Sequence, residues 1–105
     1  MMNRVCIEGR LVADPTYKKI ESTNQDFVSF TIASQRPYKN KDGQMVADFI
    51  RVVAYHHIAT YVHNKFHKGE RVSVSGRLVS NSYQNEVGEK VYTVYIQADE
   101  VNFLG

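Results

Sequence analysis

Two octads decide the fold of this chain: VCIEGRLV at residues 5–12 and VSVSGRLV at residues 72–79. In both, apolar and polar residues alternate, which is the period of a strand with one buried face. Both then contain a glycine, Gly9 or Gly76, and a glycine within a strand pattern is typical of a sharp bend around a small barrel. We therefore expect the octads to form neighbouring strands that bend at these glycines. A chance recurrence of common residues is the alternative.

Outside the octads, alternation predicts three more strands, at residues 27–35, 47–55 and 91–103. Residues 56–67 instead carry apolar side chains at helical spacing, which predicts one helix. The order of elements is three strands, a helix and two strands. It predicts an all-β fold, a five-stranded barrel with one helix between strands 3 and 4. Polar residues, glycine and proline predict loops at residues 18–26, 36–45 and 81–90.

The size and composition of the chain favour one ordinary globular domain. Its 105 residues fit a single domain, residues 1–105, and 43% of them are hydrophobic. No apolar run approaches the roughly 20 residues that a membrane span needs, and the N-terminus lacks the apolar region of a secretory signal. The only cysteine, Cys6, excludes an internal disulfide. We therefore expect a cytoplasmic protein that does not contact a membrane.

The chain lacks the side-chain arrangements on which enzymes depend. Asp99 and Glu100 are adjacent and would face opposite sides of a strand, so they do not form a catalytic pair. His63 and His67 are four residues apart on the predicted helix, but a closed zinc site needs four ligands and no carboxylate pairs with them. We therefore expect no catalytic residues, no metal and no cofactor, in a protein that is not an enzyme.

An ordered set of segments resembles the bacterial single-stranded DNA-binding protein family over about residues 2–104: NRVCIEGRLVADP, FTIAS, DFIRVVAY, KGERVSVSGRLVS and YTVYI. The resemblance implies an OB-fold and a homotetramer, with a dimer as the alternative assembly. It also implies binding of single-stranded DNA with little sequence preference, in DNA replication, recombination and repair.

The chain departs from the typical family member in two ways. It contains no tryptophan, although tryptophans often stack on bases in this family. It also stops at Gly105, before the acidic tip through which typical members recruit other replication proteins. That ending fits either a trimmed chain or a short natural form of bacterial, plasmid or phage origin. We therefore expect DNA binding without this route of recruitment.

The family's base-stacking positions fall here on four aromatic residues: Tyr38, Phe49, Tyr55 and Tyr83. Bases of a single strand expose flat faces, and stacking on an aromatic side chain contributes about 1–3 kcal/mol per base whatever the sequence. By period two, Phe49 and Tyr55 share one face of the third predicted strand. The alternatives are a core position for Phe49 and a wet barrel rim for Tyr55. Six other aromatics are assigned to the core or to subunit contacts: Phe27, Phe30, Tyr61, Phe66, Tyr92 and Tyr95.

Positive charge is interleaved with these aromatic residues, which suits a chain of phosphates that carries bases. The net charge of +2 and the sequence pI of about 8.7 permit a polyanionic partner without requiring one. For any single lysine the alternative is an ordinary solvated charge. The predicted basic contacts to DNA are Arg4, Arg10, Arg36, Lys39, Lys41, Arg51 and Arg77.

Two other functions stay open at the level of sequence. One is a primosomal-type OB-fold replication adaptor that acts mainly through protein contacts and binds DNA weakly. The full set of four aromatic positions favours DNA binding over this alternative. The other is binding of single-stranded RNA, since stacking does not read the sugar and only contacts to the 2′-hydroxyl would distinguish the two nucleic acids.

Overall fold

A computed structural model describes all of residues 1–105. It contains six strands and one helix, named here in chain order. The elements are β1 (Val5–Leu11), β2 (Thr16–Ile20), β3 (Gln25–Lys39), β4 (Met45–Tyr55), α1 (His56–Lys65), β5 (Arg71–Gln84) and β6 (Lys90–Phe103).

Five of the strands close into a ring in the order β1-β5-β6-β4-β3, because β3 also pairs with β1. All the pairings in the ring are antiparallel except that of β4 with β6, which is parallel at Val52↔Ile96 and Val53↔Gln97. Helix α1 lies between β4 and β5 along the chain. This arrangement confirms the prediction of an all-β, five-stranded OB-fold barrel with a single helix. That helix is not long and apolar enough to cross a membrane.

Strand β2 corrects the prediction of a loop at residues 18–26, since Thr16–Ile20 pairs antiparallel with the start of β3. The hydroxyl of Tyr17 donates a hydrogen bond to Asp26 Oδ2 at 2.7 Å, and the Tyr17 ring packs against the barrel core. Four of the five residues of β2 are exposed. This mostly polar segment therefore forms a strand outside the ring. The strand is stabilised mainly by its pairing with β3 and by the contacts of Tyr17.

The core of the barrel follows from strand alternation. On β3, the side chains of Val28, Phe30 and Ile32 point inward and are buried, as their spacing predicts. Helix α1 packs mainly against β3, and its Ala59 and Val62 side chains are fully buried in the same cluster. One helix thus completes a core that strands alone leave open.

The two octads lie side by side as predicted, since β1 pairs antiparallel with β5. A Cβ atom at Gly9 would lie 2.5 Å from the carbonyl oxygen of Ala33, and one at Gly76 would overlap the carbonyl oxygen of Gln97. Gly76 also lies at a register shift between β5 and β6. Both glycines therefore allow a neighbouring strand to approach where the barrel turns.

The two predicted loops at residues 36–45 and 81–90 are shorter than expected, because the strands run almost to the hairpin tips. Five-residue turns remain, NKDGQ at residues 40–44 and NEVGE at residues 85–89. In the first, Asn40 Oδ1 accepts hydrogen bonds from the backbone N–H groups of Asp42 and Gln44. The second turn repeats these bonds, with Asn85 Oδ1 accepting from Val87 and Glu89.

Candidate nucleic-acid interface

The outer face of β4 carries Phe49, Arg51 and Tyr55, at the alternate positions that the sequence predicts. The Phe49 side chain is 70% exposed, which excludes the alternative of a core position. Across the β3–β4 ladder, Phe27 lies opposite Tyr55, and Ala33 lies opposite Phe49. The Phe49 ring is therefore free to meet a ligand or a partner on this face of β4.

A groove of about 320 Å³ runs beside the Tyr55 end of this face. We call it the aromatic groove; it is lined by Ile20, Gln25, Phe27, Arg51, Val53, Tyr55, Asn81, Thr93 and Tyr95. The ring centroids of Phe27 and Tyr55 are 6.3 Å apart and the rings are tilted by 48°. Partial burial, followed by the neighbouring Tyr95 hydroxyl, raises the pKa of the Tyr55 phenol. Tyr55 therefore stays neutral at physiological pH.

Phe27 and Tyr95 are the groove residues that sequence reasoning missed, because both were assigned to the core or to subunit contacts. Both are half-buried and line the groove. Period two could have found them, since Phe27 directly precedes the inward Val28 and Tyr95 directly precedes the inward Ile96.

The other four aromatics of that assignment divide evenly. Phe30 and Phe66 are buried in the core as predicted, at 5% and 1% exposure. Tyr61 and Tyr92 are exposed, at 43% and 68%, so a core position is wrong for both.

Tyr38 and Tyr83 lie on strands near the hairpin tips, which corrects their predicted place in loops. Tyr83 is 56% exposed and shares a face of β5 with Asn81, so it extends the line of the aromatic groove along the β5–β6 hairpin. Tyr38 is 62% exposed but lies on the other hairpin, between β3 and β4. Neither ring lines the groove itself.

Arg51 lines the aromatic groove and forms no ion pair, whereas two of the other predicted basic contacts, Arg36 and Arg4, are paired with carboxylates. Arg36 instead donates from Nε and Nη2 to the Asp48 carboxylate at 2.7–3.2 Å. These bonds raise the pKa of Arg36 and lower that of Asp48. Arg4 is likewise paired with Asp99, at 2.9 Å.

The remaining predicted basic residues are spread around the barrel. Arg10 donates to the carbonyl oxygen of Gly69 at 3.0 Å, and Arg77 donates to Gln97 Oε1 at 3.4 Å. Lys39 and Lys41 are exposed beside the turn of the β3–β4 hairpin, without an ion pair. The structure therefore collects only Arg51 into the groove.

The histidines of α1 make contacts other than those of a metal site. His63 stacks on the Tyr17 ring with centroids 4.7 Å apart, and His56 Nδ1 lies 3.8 Å from Asp26 Oδ1. No three residues of the His, Cys, Asp and Glu types lie close enough together to hold a metal ion.

A closed barrel of this topology, with exposed rings and an unpaired guanidinium on one outer face, defines the class: an OB-fold binding domain. A model of the single-strand binding protein family matches residues 2–104. The chain therefore belongs to the single-strand binding protein family, which confirms the resemblance drawn from its sequence.

Named relatives agree with this assignment. The chain is 38% identical over 104 residues to Single-stranded DNA-binding protein 1 of Staphylococcus aureus (strain COL), covering 99% of this chain and 62% of that protein. It is 36% identical over 104 residues to Single-stranded DNA-binding protein A of Bacillus subtilis (strain 168), covering 99% of this chain and 60% of that protein. The chain thus spans about three fifths of the length of these curated relatives.

Proposed function

We propose that this protein binds and protects single-stranded DNA, with little sequence preference, in DNA replication, recombination and repair. Membership of the single-strand binding protein family supports the choice of ligand. The observation that carries the mechanism is the aromatic groove, in which the paired rings of Phe27 and Tyr55 lie beside the unpaired Arg51. Binding of single strands requires aromatic rings on which bases stack and cations that contact the phosphates, and this groove contains both.

In this mechanism the bases stack and the phosphates meet cations. Tyr55 offers a neutral ring in the groove, and Phe49 offers an exposed ring farther along the same strand face. Tyr38 and Tyr83 extend the stacking surface along the two hairpins. Arg51 contacts the backbone at the groove, with the more scattered Arg4, Arg10, Arg36, Lys39, Lys41 and Arg77 adding charge around it.

The proposal explains a preference for single strands. In a duplex the base faces are covered by their neighbours, and extruding a base costs a few kcal/mol. Rings such as those of Phe49 and Tyr55 gain their stacking energy only from unpaired bases. No bond is made or broken in this mode of action, so it requires neither catalytic residues nor a cofactor.

We also propose that copies of the chain assemble into a homotetramer, as the family resemblance implies. The outer side of β1, β5 and β6 offers a surface for such contacts, a concavity of about 420 Å³ lined by Cys6, Glu8, Ser73, Ser75 and others. Light scattering on the purified protein tests the assembly, and a monomer or a dimer would contradict a tetramer. A role on bacterial, plasmid or phage DNA would place the assembly in the cytoplasm.

The decisive experiment is fluorescence polarisation of a labelled dT oligonucleotide, with duplex and RNA competitors, across a salt series. We expect tight binding that duplex does not displace, and about tenfold or greater weakening for Phe49→Ala or Tyr55→Ala, from the stacking energy per base. Weak binding that vanishes at moderate salt would contradict the proposal and favour the adaptor function. Displacement by RNA as readily as by DNA would extend the ligand to both nucleic acids.

A further inference from the structure

One row of side chains crosses four strands on the outside of the barrel. Phe49 on β4 lies opposite Ala33 on β3, Ala33 lies opposite Arg10 on β1, and Arg10 lies opposite Arg71 on β5. Side chains directly opposite one another in antiparallel strands share a face. Measured along the curved sheet, three interstrand spacings of about 4.8 Å each separate Phe49 from Arg71. The row therefore leads from an exposed aromatic ring to a pair of guanidinium groups.

The pairing of Arg10 with Arg71 is unfavourable in the protein alone, since like charges directly opposite in a sheet are destabilising. Neither guanidinium forms an ion pair with a carboxylate. Arg10 and Arg71 both line a concavity of about 330 Å³, and Arg36 lines it with them. Glu8 lines it as well, but its carboxylate is not within ion-pair distance of any of the three arginines. We call this set of Arg10, Arg36 and Arg71 the arginine notch.

We propose that the arginine notch binds a backbone phosphate of the DNA strand whose base stacks on Phe49. The inference rests on the proposed function and adds a second contact point, outside the aromatic groove. An anion held between Arg10 and Arg71 relieves their repulsion, and guanidinium groups match phosphate oxygens through paired N–H donors. The strand would then leave the β4 face over Ala33 and continue towards β5.

The three arginines differ in how far they are already engaged. Arg36 is fixed by Asp48, and Arg10 is fixed by the carbonyl oxygen of Gly69. Each keeps further N–H donors for a phosphate from a set position. The Arg71 side chain has no hydrogen-bond or ion-pair partner. Arg71 is therefore the arginine whose removal tests the notch with the least disturbance of the barrel.

The test compares Arg71→Gln with the control Lys65→Gln, which removes the same charge from the exposed end of α1. The measurement is the dependence of log K on log salt for a dT oligonucleotide. One lost phosphate contact makes the slope about 0.7 less steep for a single strand. We expect this change for Arg71→Gln, none for Lys65→Gln, and a wild-type slope for Arg71→Lys. Without DNA, Arg71→Gln should melt at a higher temperature than the wild type, because the repulsion is gone.

Three results would overturn the proposal. The first is an unchanged slope for Arg71→Gln, and the second is an equal change for Lys65→Gln, which would indicate general charge attraction. The third is a changed assembly mass for Arg71→Gln, which would assign Arg71 to contacts between copies. Failure of the proposed function is distinguishable from all three, because the wild-type protein would then show no salt-resistant binding to dT at all.

Discussion

Tyr38 and Tyr83 occupy the same position in two hairpins of the same construction. Each lies two residues before the asparagine that begins the turn. The stretches are YKNKDGQ at residues 38–44 and YQNEVGE at residues 83–89. In each turn the asparagine side chain accepts two backbone N–H groups, and a glycine adopts positive φ, 75° at Gly43 and 82° at Gly88. Each of the two hairpins thus carries an exposed tyrosine next to a turn that is ordered by hydrogen bonds to its asparagine side chain.

Replacing Asn40 tests whether this turn positions Tyr38. Asn40→Ala removes the acceptor of the Asp42 and Gln44 amides, and each such bond contributes about 0.5–1.5 kcal/mol. We expect faster hydrogen exchange at the Gln44 amide and a severalfold weaker affinity for dT oligonucleotides. Asn40→Asp keeps an acceptor oxygen at the same place and should behave like the wild type. Equal affinity for all three proteins would mean that the hydrogen bonds of Asn40 do not position Tyr38 for binding.

The β5–β6 hairpin offers a matched pair of tyrosines on opposite faces. Tyr83 pairs with Val91 on the groove side, whereas Tyr92 pairs with Ser82 on the other side, and both rings are exposed. Tyr83→Ala should weaken binding of a dT oligonucleotide about tenfold, from the energy of one lost stack. Tyr92→Ala should leave the affinity unchanged. Fluorescence polarisation measures both affinities. A larger loss of affinity for Tyr92→Ala than for Tyr83→Ala would place the DNA on the face of this hairpin opposite the aromatic groove.

Two glycine substitutions separate close strand contact from turn geometry. A Cβ at Gly76 meets the backbone of Gln97, so Gly76→Ala should lower the free energy of unfolding by about 3 kcal/mol, the upper end of the usual cost of overpacking. A Cβ at Gly88 meets no atom within 4 Å, and only its positive φ is unfavourable, which costs about 1–2 kcal/mol. Urea unfolding of the two variants provides the comparison. A smaller loss for Gly76→Ala than for Gly88→Ala would contradict the bend assigned to Gly76.

The hydrogen bond between Tyr17 and Asp26 makes stability depend on pH. The Tyr17 hydroxyl lowers the pKa of Asp26 below 3.8, and the same bond raises the pKa of Tyr17 above 10.0. The Asp26 contribution is therefore present above the unfolded pKa and is lost as pH falls through the folded one. That of Tyr17 is present below its unfolded pKa and is lost as pH rises through the folded one.

Asp26→Asn should accordingly melt below the wild type at neutral pH, with the gap closing as the pH falls into the acid range and through the lowered pKa of Asp26. Circular dichroism melting across this range measures the gap, and Tyr17→Phe should reproduce part of it by removing the donor. Some acid sensitivity should remain in both variants, since Arg36 also holds the pKa of Asp48 low. A gap that is constant with pH would show that the carboxylate charge of Asp26 is not what stabilises the fold.

The sequence predicted the ring of the barrel because its strands alternate strongly, as Val28, Phe30 and Ile32 show. The sequence does not predict strand β2 because Tyr17 is its only side chain that packs against the core, and the exposed Ile20 is the only other apolar residue in it. The sequence predicts loops at the hairpins because asparagine and glycine indicate a turn but do not show how close to it the strands continue. Local pattern thus finds strands that face a core and misses those that only extend a sheet.

For the candidate site, the sequence placed Phe49 and Tyr55 on one face because they follow period two on a single strand. It did not group Arg51 with Phe27 and Tyr95, since the groove joins strands that are distant along the chain. The ion pair between Asp48 and Arg36 was also not predictable, because an ion pair across a hairpin depends on register. Which rings are outward is a local property, but which rings meet is a property of the closed barrel.

The closure of the ring through β1 and β5 also bears on how the chain folds. These strands pair from Val5↔Gly76 to Arg10↔Arg71, so each residue of β1 pairs with a residue more than sixty positions later in the chain. Its other neighbour, β3, meets it at only two positions. A topology of such high contact order folds in milliseconds to seconds, because loop entropy is lost before distant pairs stabilise anything. During synthesis, β1 cannot pair with β5 until more than two thirds of the chain has been made.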